Sequence, residues 1–283
     1  MKKPLHSQPR RKPGTAKSAK KAAKSPSKRR TAPTPPERIA LARTFHGQVI
    51  SDDFAWLRAD NWKQVLKTPA KLPKKIRAFL ENKYADAVLA PVKTLRKQLV
   101  KDMRGRIKED DSQVPAPDGP WLYYDRYRKG GQHPLACRKP REGGKEQILI
   151  DGEKLGKGKA FFDIEATEHS PDHSRIAWSA DTKGSEYFTI RIREAGKERD
   201  RREQITDTDG SIVWSADSNA LYYVRMDENH RPYRVYRHRL GTSIDKDELV
   251  FEEKNPRWFI HLSQTQSGRF GEIEVADHET SET

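Results

Sequence analysis

Glu168, His169, Asp172 and His173 place two imidazoles and two carboxylates within six residues. On a helix, histidines four apart share a face and can hold a metal ion. Pro171 lies between them, however, and the flanking pattern is a loop entering a strand. The predicted role is therefore a turn in which Asp172 caps backbone N–H groups. Asp217, in a matching stretch without histidines, supports that reading. A second polar cluster, Asp227-Glu228-Asn229-His230, falls between two strand candidates. It either lines a mouth of the fold or forms a solvated hairpin loop.

Serine chemistry needs more than a serine. The G-x-S-x-G elbow sets the nucleophile on a tight strand-to-helix turn, and that motif does not occur here. Gly184-Ser185-Glu186 enters a strand without the second glycine, and Ser267-Gly268 sits in a hairpin turn. Without a neighbouring base and an oxyanion hole, such serines are ordinary alcohols. Arg191, Arg193, Arg237 and Arg239 alternate along strands. They read as ion-pair partners rather than as receptors for peptide carboxylates. Cys137 is the sole cysteine, which excludes an intrachain disulfide or a cysteine zinc cluster. It reads as a small buried residue, not a reactive thiol. Residues 108–111 (KEDD) suit a hinge or a charged linker equally. No catalytic, cofactor-binding or metal-ligating residue is assigned.

The elements around these residues follow a repeat. Ser170 and Ser215, Asp172 and Asp217, Ile176 and Leu221, and Trp178 and Tyr223 are all 45 apart. Tyr187 and Tyr233, Arg191 and Arg237, and Arg193 and Arg239 are 46 apart. Strand-rich repeats of about 40–50 residues mark β-propeller blades. Strands predicted at 121–128, 134–140 and 146–152 make a first blade, the paired repeat a second and third, and 259–262 with 273–275 a fourth. Upstream, Ile76, Phe79, Leu80 and Tyr84, then Leu95, Leu99 and Met103, form apolar stripes at helical spacing. They predict one or two amphipathic helices over 73–103, interrupted at Pro91, whose apolar face needs a partner. Phe54, Trp56 and Leu57 suggest an anchoring segment.

The chain has 283 residues, 34% of them hydrophobic, 34% charged, with a net charge of +15. Residues 1–36 hold 12 Lys/Arg and no Asp/Glu, leaving 44 basic and 41 acidic residues elsewhere. The basic character belongs to a tail predicted to be disordered. It is either a solvated extension or a polybasic arm for nucleic acid or another anionic surface. No aromatic interleaves its charges to stack on bases. No apolar run approaches the ~18 residues of a membrane span, and the N-terminus lacks a secretory apolar core. A cytoplasmic location is expected. The predicted fold is mainly β: a disordered tail (1–37), a helical segment (38–104) and a partial β-propeller of about four blades (105–283).

Residues 105–115 (GRIKEDDSQVP), 130–152, 169–191, 224–242 and 265–282 carry a family likeness. From about Phe45 onward the chain resembles the oligopeptidase B branch of the prolyl oligopeptidase family of serine peptidases. The resemblance implies a seven-bladed propeller capping an α/β-hydrolase domain that bears a Ser-Asp-His triad. It implies cleavage of short peptides after Arg or Lys, exclusion of folded proteins by the propeller, and no metal or organic cofactor. About four of the seven blades match. The family's nucleophile, acid, base and Arg/Lys-recognising residues fall outside these residues. Short basic peptides are thus partners of the intact family member. This chain alone is expected to be inactive, and marginally stable unless a separately encoded hydrolase half completes it. The alternative is a non-catalytic propeller scaffold with a nucleic-acid-binding tail.

Overall fold

The computed structural model describes residues 34–81 and 84–283. Most of the basic tail, and any nucleic-acid contact it makes, lies outside the described residues. A hairpin comes first, β1 (Ala42–Phe45) and β2 (Gln48–Ser51). His46 and Gly47 close it with φ of 51° and 77°, the left-handed pair that a two-residue turn needs to match strand twist. Four helices follow: α1 (Trp62–Lys67), α2 (Lys74–Leu80), α3 (Tyr84–Leu89) and α4 (Lys93–Arg104). A 3-10 turn at Ala90–Val92 contains Pro91, as expected from the missing proline N–H. The helical region is divided further than the stripe pattern implied, since α2 already ends at Leu80. Trp56 anchors this segment, with its ring 6.0 Å from Phe79 and its indole N–H donated to the Glu37 carbonyl at 2.7 Å. Ile76 is buried, but Leu80, Leu95, Leu99 and Met103 are 49–62% exposed. The apolar stripes exist and nothing among the described residues covers them.

The remaining strands form consecutive antiparallel meanders. The first is β3 (Ala116–Asp118), β4 (Trp121–Arg126), β5 (Leu135–Pro140) and β6 (Gln147–Asp151), followed by the short helix α5 (Gly152–Gly156). The second is β7 (Asp163–His169), β8 (Arg175–Asp181), β9 (Phe188–Glu194) and β10 (Asp200–Thr208). The third is β11 (Val213–Trp214), β12 (Ala220–Met226), β13 (Pro232–Arg239) and β14 (Glu248–Glu252). The fourth is β15 (Phe259–Gln264), β16 (Gly271–Ala276) and β17 (Ser281–Glu282). A single pairing, Thr208 with Arg225, joins the second and third. These are four propeller blades, and the mainly β class predicted from the repeat is correct.

The core lies between blades. Ala136, Leu149 and Ile150 meet Phe162, Ile176, Trp178 and Ala180 across the first seam. Ala177, Ile190, Ile192 and Ile205 meet Ile212, Trp214, Leu221 and Tyr223 across the second. Val213, Val224 and Val235 meet Ile260, Leu262 and Val275 across the third. Burying each such aliphatic side chain contributes about 1.5–3 kcal/mol. A middle blade is covered on both faces, so β8 is buried from Ile176 to Asp181, whereas β4 in the first blade is only half-buried throughout.

Candidate functional site at the inner edge of the blades

The innermost layer consists of the leading strand of each blade: β11 lies against both β7 and β15. The turns that follow β7 and β15 and precede β12 set its rim. Ser170 Oγ accepts the Arg175 N–H at 3.0 Å, and Asp172 Oδ1 accepts the Ser174 N–H at 3.0 Å. The second copy repeats this: Ser215 Oγ accepts the Ala220 N–H at 2.9 Å, and Asp217 Oδ1 accepts the Asn219 N–H at 3.0 Å. His173 and Ser218 both have a φ of 59°. The capping role predicted for Asp172 is observed. A third copy escaped the sequence reading: Thr265 Oγ1 accepts the Phe270 N–H at 3.2 Å, and Gly268 takes the left-handed position at 68°. There Ser267 replaces the aspartate and Gly268 the bulkier residue, so identity was lost while geometry persisted.

His169 and His173 are brought together by this turn, not by a helix. Their rings stack with centroids 5.4 Å apart and an interplanar angle of 15°. The first blade supplies their neighbours. Tyr123 stacks on His169 at 3.7 Å, and its hydroxyl lies 2.9 Å from His173 Nδ1. Asp118 Oδ2 lies 2.8 Å from His169 Nε2. Arg138 donates to the His173 carbonyl at 2.6 Å and stacks over Trp121 at 3.9 Å. Desolvation lowers the His169 pKa, against the pull of Asp118, which favours the neutral imidazole. Neither Asp118 nor Tyr123 stood out in the sequence, because their partners are some fifty residues away.

Along β7, Asp163, Glu165 and Glu168 are the exposed positions. Asp125 of β4 and Asp209, between β10 and β11, add carboxylates near them. Although the Glu168 side chain keeps contact with solvent, crowding by the surrounding chain desolvates its carboxyl, and with the charge of Asp125 this pushes it up to about 7. Burial raises Asp125 and Asp209 as well, and Glu165 is raised by burial, Asp163 and Asp209. The β7 backbone is tied to the next blade by the Trp214 indole N–H, donated to the Glu168 carbonyl at 2.9 Å. Gly210, at a φ of 97°, accommodates Glu165: a Cβ there would come within 2.6 Å of Glu165 Cγ. The raised Glu168 pKa gives a signed prediction. Both folded and unfolded chains are protonated below the ordinary carboxylate pKa, so Glu168→Gln is neutral near pH 4. The folded-state penalty grows as pH rises to about 7 and then levels off. Thermal unfolding from pH 4 to 8 should show the variant gaining on the parent over that interval; a constant difference would exclude this.

The other sequence candidates are structural. Asp227 Oδ1 accepts the Asn229 and Arg231 N–H groups at 2.8 and 3.1 Å. Its loop is a docking point rather than free in solvent. Lys63 of α1 pairs with Glu228, Lys67 with Asp207 at 3.2 Å, and Tyr187 donates to the Asp227 carbonyl at 2.6 Å. Arg193 pairs with Asp200 at 2.6 Å and Arg237 with Glu248 at 3.5 Å. Arg191 instead covers the Trp178 ring at 5.3 Å. In the 108–111 stretch, Lys108 pairs with Asp111 at 3.4 Å. Cys137 is 1% exposed, and burial with Glu146 pushes its thiol up to about 12, so it is inert at neutral pH. Ser185 is buried and its hydroxyl donates to Asp181 at 3.3 Å. No imidazole stands in the base position for it among the described residues.

A family profile described as the N-terminal β-propeller domain of prolyl oligopeptidase matches residues 34–283. Dipeptidyl aminopeptidase BI of Pseudoxanthomonas mexicana is 31% identical over 88% of this chain and 36% of its own length. Protease 2 of Moraxella lacunata is 27% identical over 87% of this chain and 36% of its own. The structure of oligopeptidase B from Leishmania major superimposes with a TM-score of 0.75 at 26% identity, again over 88% of this chain and 36% of that one. The chain thus spans about 36% of the length of these relatives. The four stacked blades, the repeated capping turns and the profile match agree: this chain belongs to the prolyl oligopeptidase family, residues 34–283 matching the profile of its N-terminal β-propeller domain.

Proposed function

We propose that this chain is the propeller portion of an oligopeptidase B-like serine endopeptidase that cleaves short peptides after Arg or Lys. Its role is to admit substrate; the bonds are broken by an α/β-hydrolase domain that these residues do not include. The carrying observation is the match of blades one to four to an oligopeptidase B structure. The carboxylates at the inner edge support it. Asp163, Glu165 and Glu168 are exposed there, and a peptide with Arg or Lys side chains gains from passing a negatively charged rim. Because Glu168 titrates at about 7, that rim carries its full charge only above neutrality.

Serine peptidase chemistry requires a nucleophile, a base that takes its proton and donors for the oxyanion. Ser185, the serine beside a glycine that begins a partial elbow motif, is buried and hydrogen-bonded to Asp181. We therefore expect no hydrolysis of a short chromogenic peptide with Arg at the cleavage site by the 283-residue chain, and turnover when an oligopeptidase B-like hydrolase half is supplied. A blocked N-terminus on the peptide separates endopeptidase action from the release of N-terminal dipeptides. Serine-inhibitor-sensitive turnover by the chain alone, free of host peptidases, would overturn the assignment of catalysis elsewhere.

A further inference from the structure

We propose that Asp118, His169 and His173 bind a divalent transition-metal ion, with Zn2+ the best fit, clipping the first blade to the second. Asp118 ends β3 in the first blade; His169 ends β7 and His173 sits in the following turn of the second. One donor atom from each lies within 4.8 Å of the other two. Zn2+ takes imidazole nitrogen and carboxylate oxygen at about 2.0–2.2 Å in a tetrahedron, which sets ligand atoms roughly 3.3 Å apart. The contact of 2.8 Å between Asp118 Oδ2 and His169 Nε2 must open slightly. Asp118 is free to do so, since its side chain is 59% exposed, and that exposure also gives an ion its entry path.

The surroundings prepare the ligands. Tyr123 OH at 2.9 Å from His173 Nδ1 leaves Nε2 as the donor facing the site, the outer-shell arrangement that metal-binding histidines use. Stacking on Tyr123 at 3.7 Å holds the His169 ring. Gly119 leaves His173 Nε2 uncovered, because a Cβ there would collide with that nitrogen. Arg138 opposes a cation, but it is held by Gln147 at 2.9 Å and by the His173 carbonyl, and the Asp118 carboxylate offsets its charge. Three protein ligands leave a fourth position for water. The histidines keep the i, i+4 spacing of a helical metal site, but a turn does the work of the helix and the carboxylate comes from another blade.

The test uses the full chain without a histidine tag. Titration with ZnCl2 by calorimetry should give one ion per chain, and Co2+ should develop the visible absorption of a tetrahedral site. Zn2+ should raise the thermal midpoint of the parent but not that of a His169→Ala/His173→Ala double variant. Tyr123→Phe should weaken binding about 10-fold. Asp118→Asn, at an exposed position, keeps the test valid if the double variant does not fold. Zn2+ binding unchanged in Asp118→Asn, or no binding by the parent, would overturn the proposal.

Discussion

Replacing His238 with alanine should destabilise the chain by about 3–5 kcal/mol, the usual penalty for removing one member of a buried ionic network. His238 is fully buried; its Nδ1 is 2.7 Å from Asp247 Oδ1 and its Nε2 is 3.7 Å from Glu203 Oε2. The Asp247 side chain is only 2% exposed, and its other oxygen accepts the Tyr223 hydroxyl at 2.8 Å. Alanine leaves Asp247 with Tyr223 alone, in a cavity of imidazole size, beside the half-satisfied Glu203. His238→Leu alone should be nearly as harmful, since it restores volume but not the partner. His238→Leu with Asp247→Leu should recover much of the loss, because paired apolar replacements remove the unpaired charge. Urea unfolding at pH 7 measures all three. A midpoint for His238→Ala equal to the parent's would refute a structural role for this network.

The second large effect is expected at Asp181, at the end of β8. This carboxylate is 2% exposed and accepts N–H groups from Lys183 at 2.7 Å, from Ser185, and from Glu186 at 2.8 Å. It also accepts the Ser185 hydroxyl. The loop it organises contains Gly184 and Glu186 at φ of 71° and 56°, a conformation that needs outside support at a non-glycine residue. Asp181→Ala orphans these donors. At about 1–3 kcal/mol for each that stays buried, and with Lys183 and Glu186 exposed enough to recover water, the total is about 3 kcal/mol. Asp181→Asn retains one acceptor oxygen and should cost less than half of that. Unfolding gives the energy, and hydrogen exchange at residues 183–186 gives the place. Unchanged protection of those amides in Asp181→Ala would show that the loop holds itself.

These two sites mark different degrees of legibility. Asp181 sits beside Gly184-Ser185, a pair that draws attention as a serine motif, and its real function is a local turn with all partners within five residues. His238 attracts no notice in the run YRVYRHR, because Asp247 and Glu203 lie 9 and 35 residues away in sequence. Only pairing of β13 with its neighbours and docking of the loop before β14 bring them together. The same holds for Asp227-Glu228-Asn229-His230, a solvated loop by composition that receives Lys63 of α1 through tertiary packing.

From sequence alone, the 45- and 46-residue spacings determined the blade repeat, because strand alternation and turn-capping Ser and Asp residues are local properties of the chain. The same local logic identified Asp172 and Asp217 as caps and Cys137 as buried. Tertiary structure decided which surfaces meet. It put both faces of the middle blades into the core, left the stripe of Leu95, Leu99 and Met103 exposed, and gathered Glu165, Glu168 and Asp209 at the inner edge. It also turned His169 and His173, neighbours on no helix, into a stacked pair facing Asp118. Burial and through-space charge depend on residues distant in sequence, and no spacing along one strand encodes them.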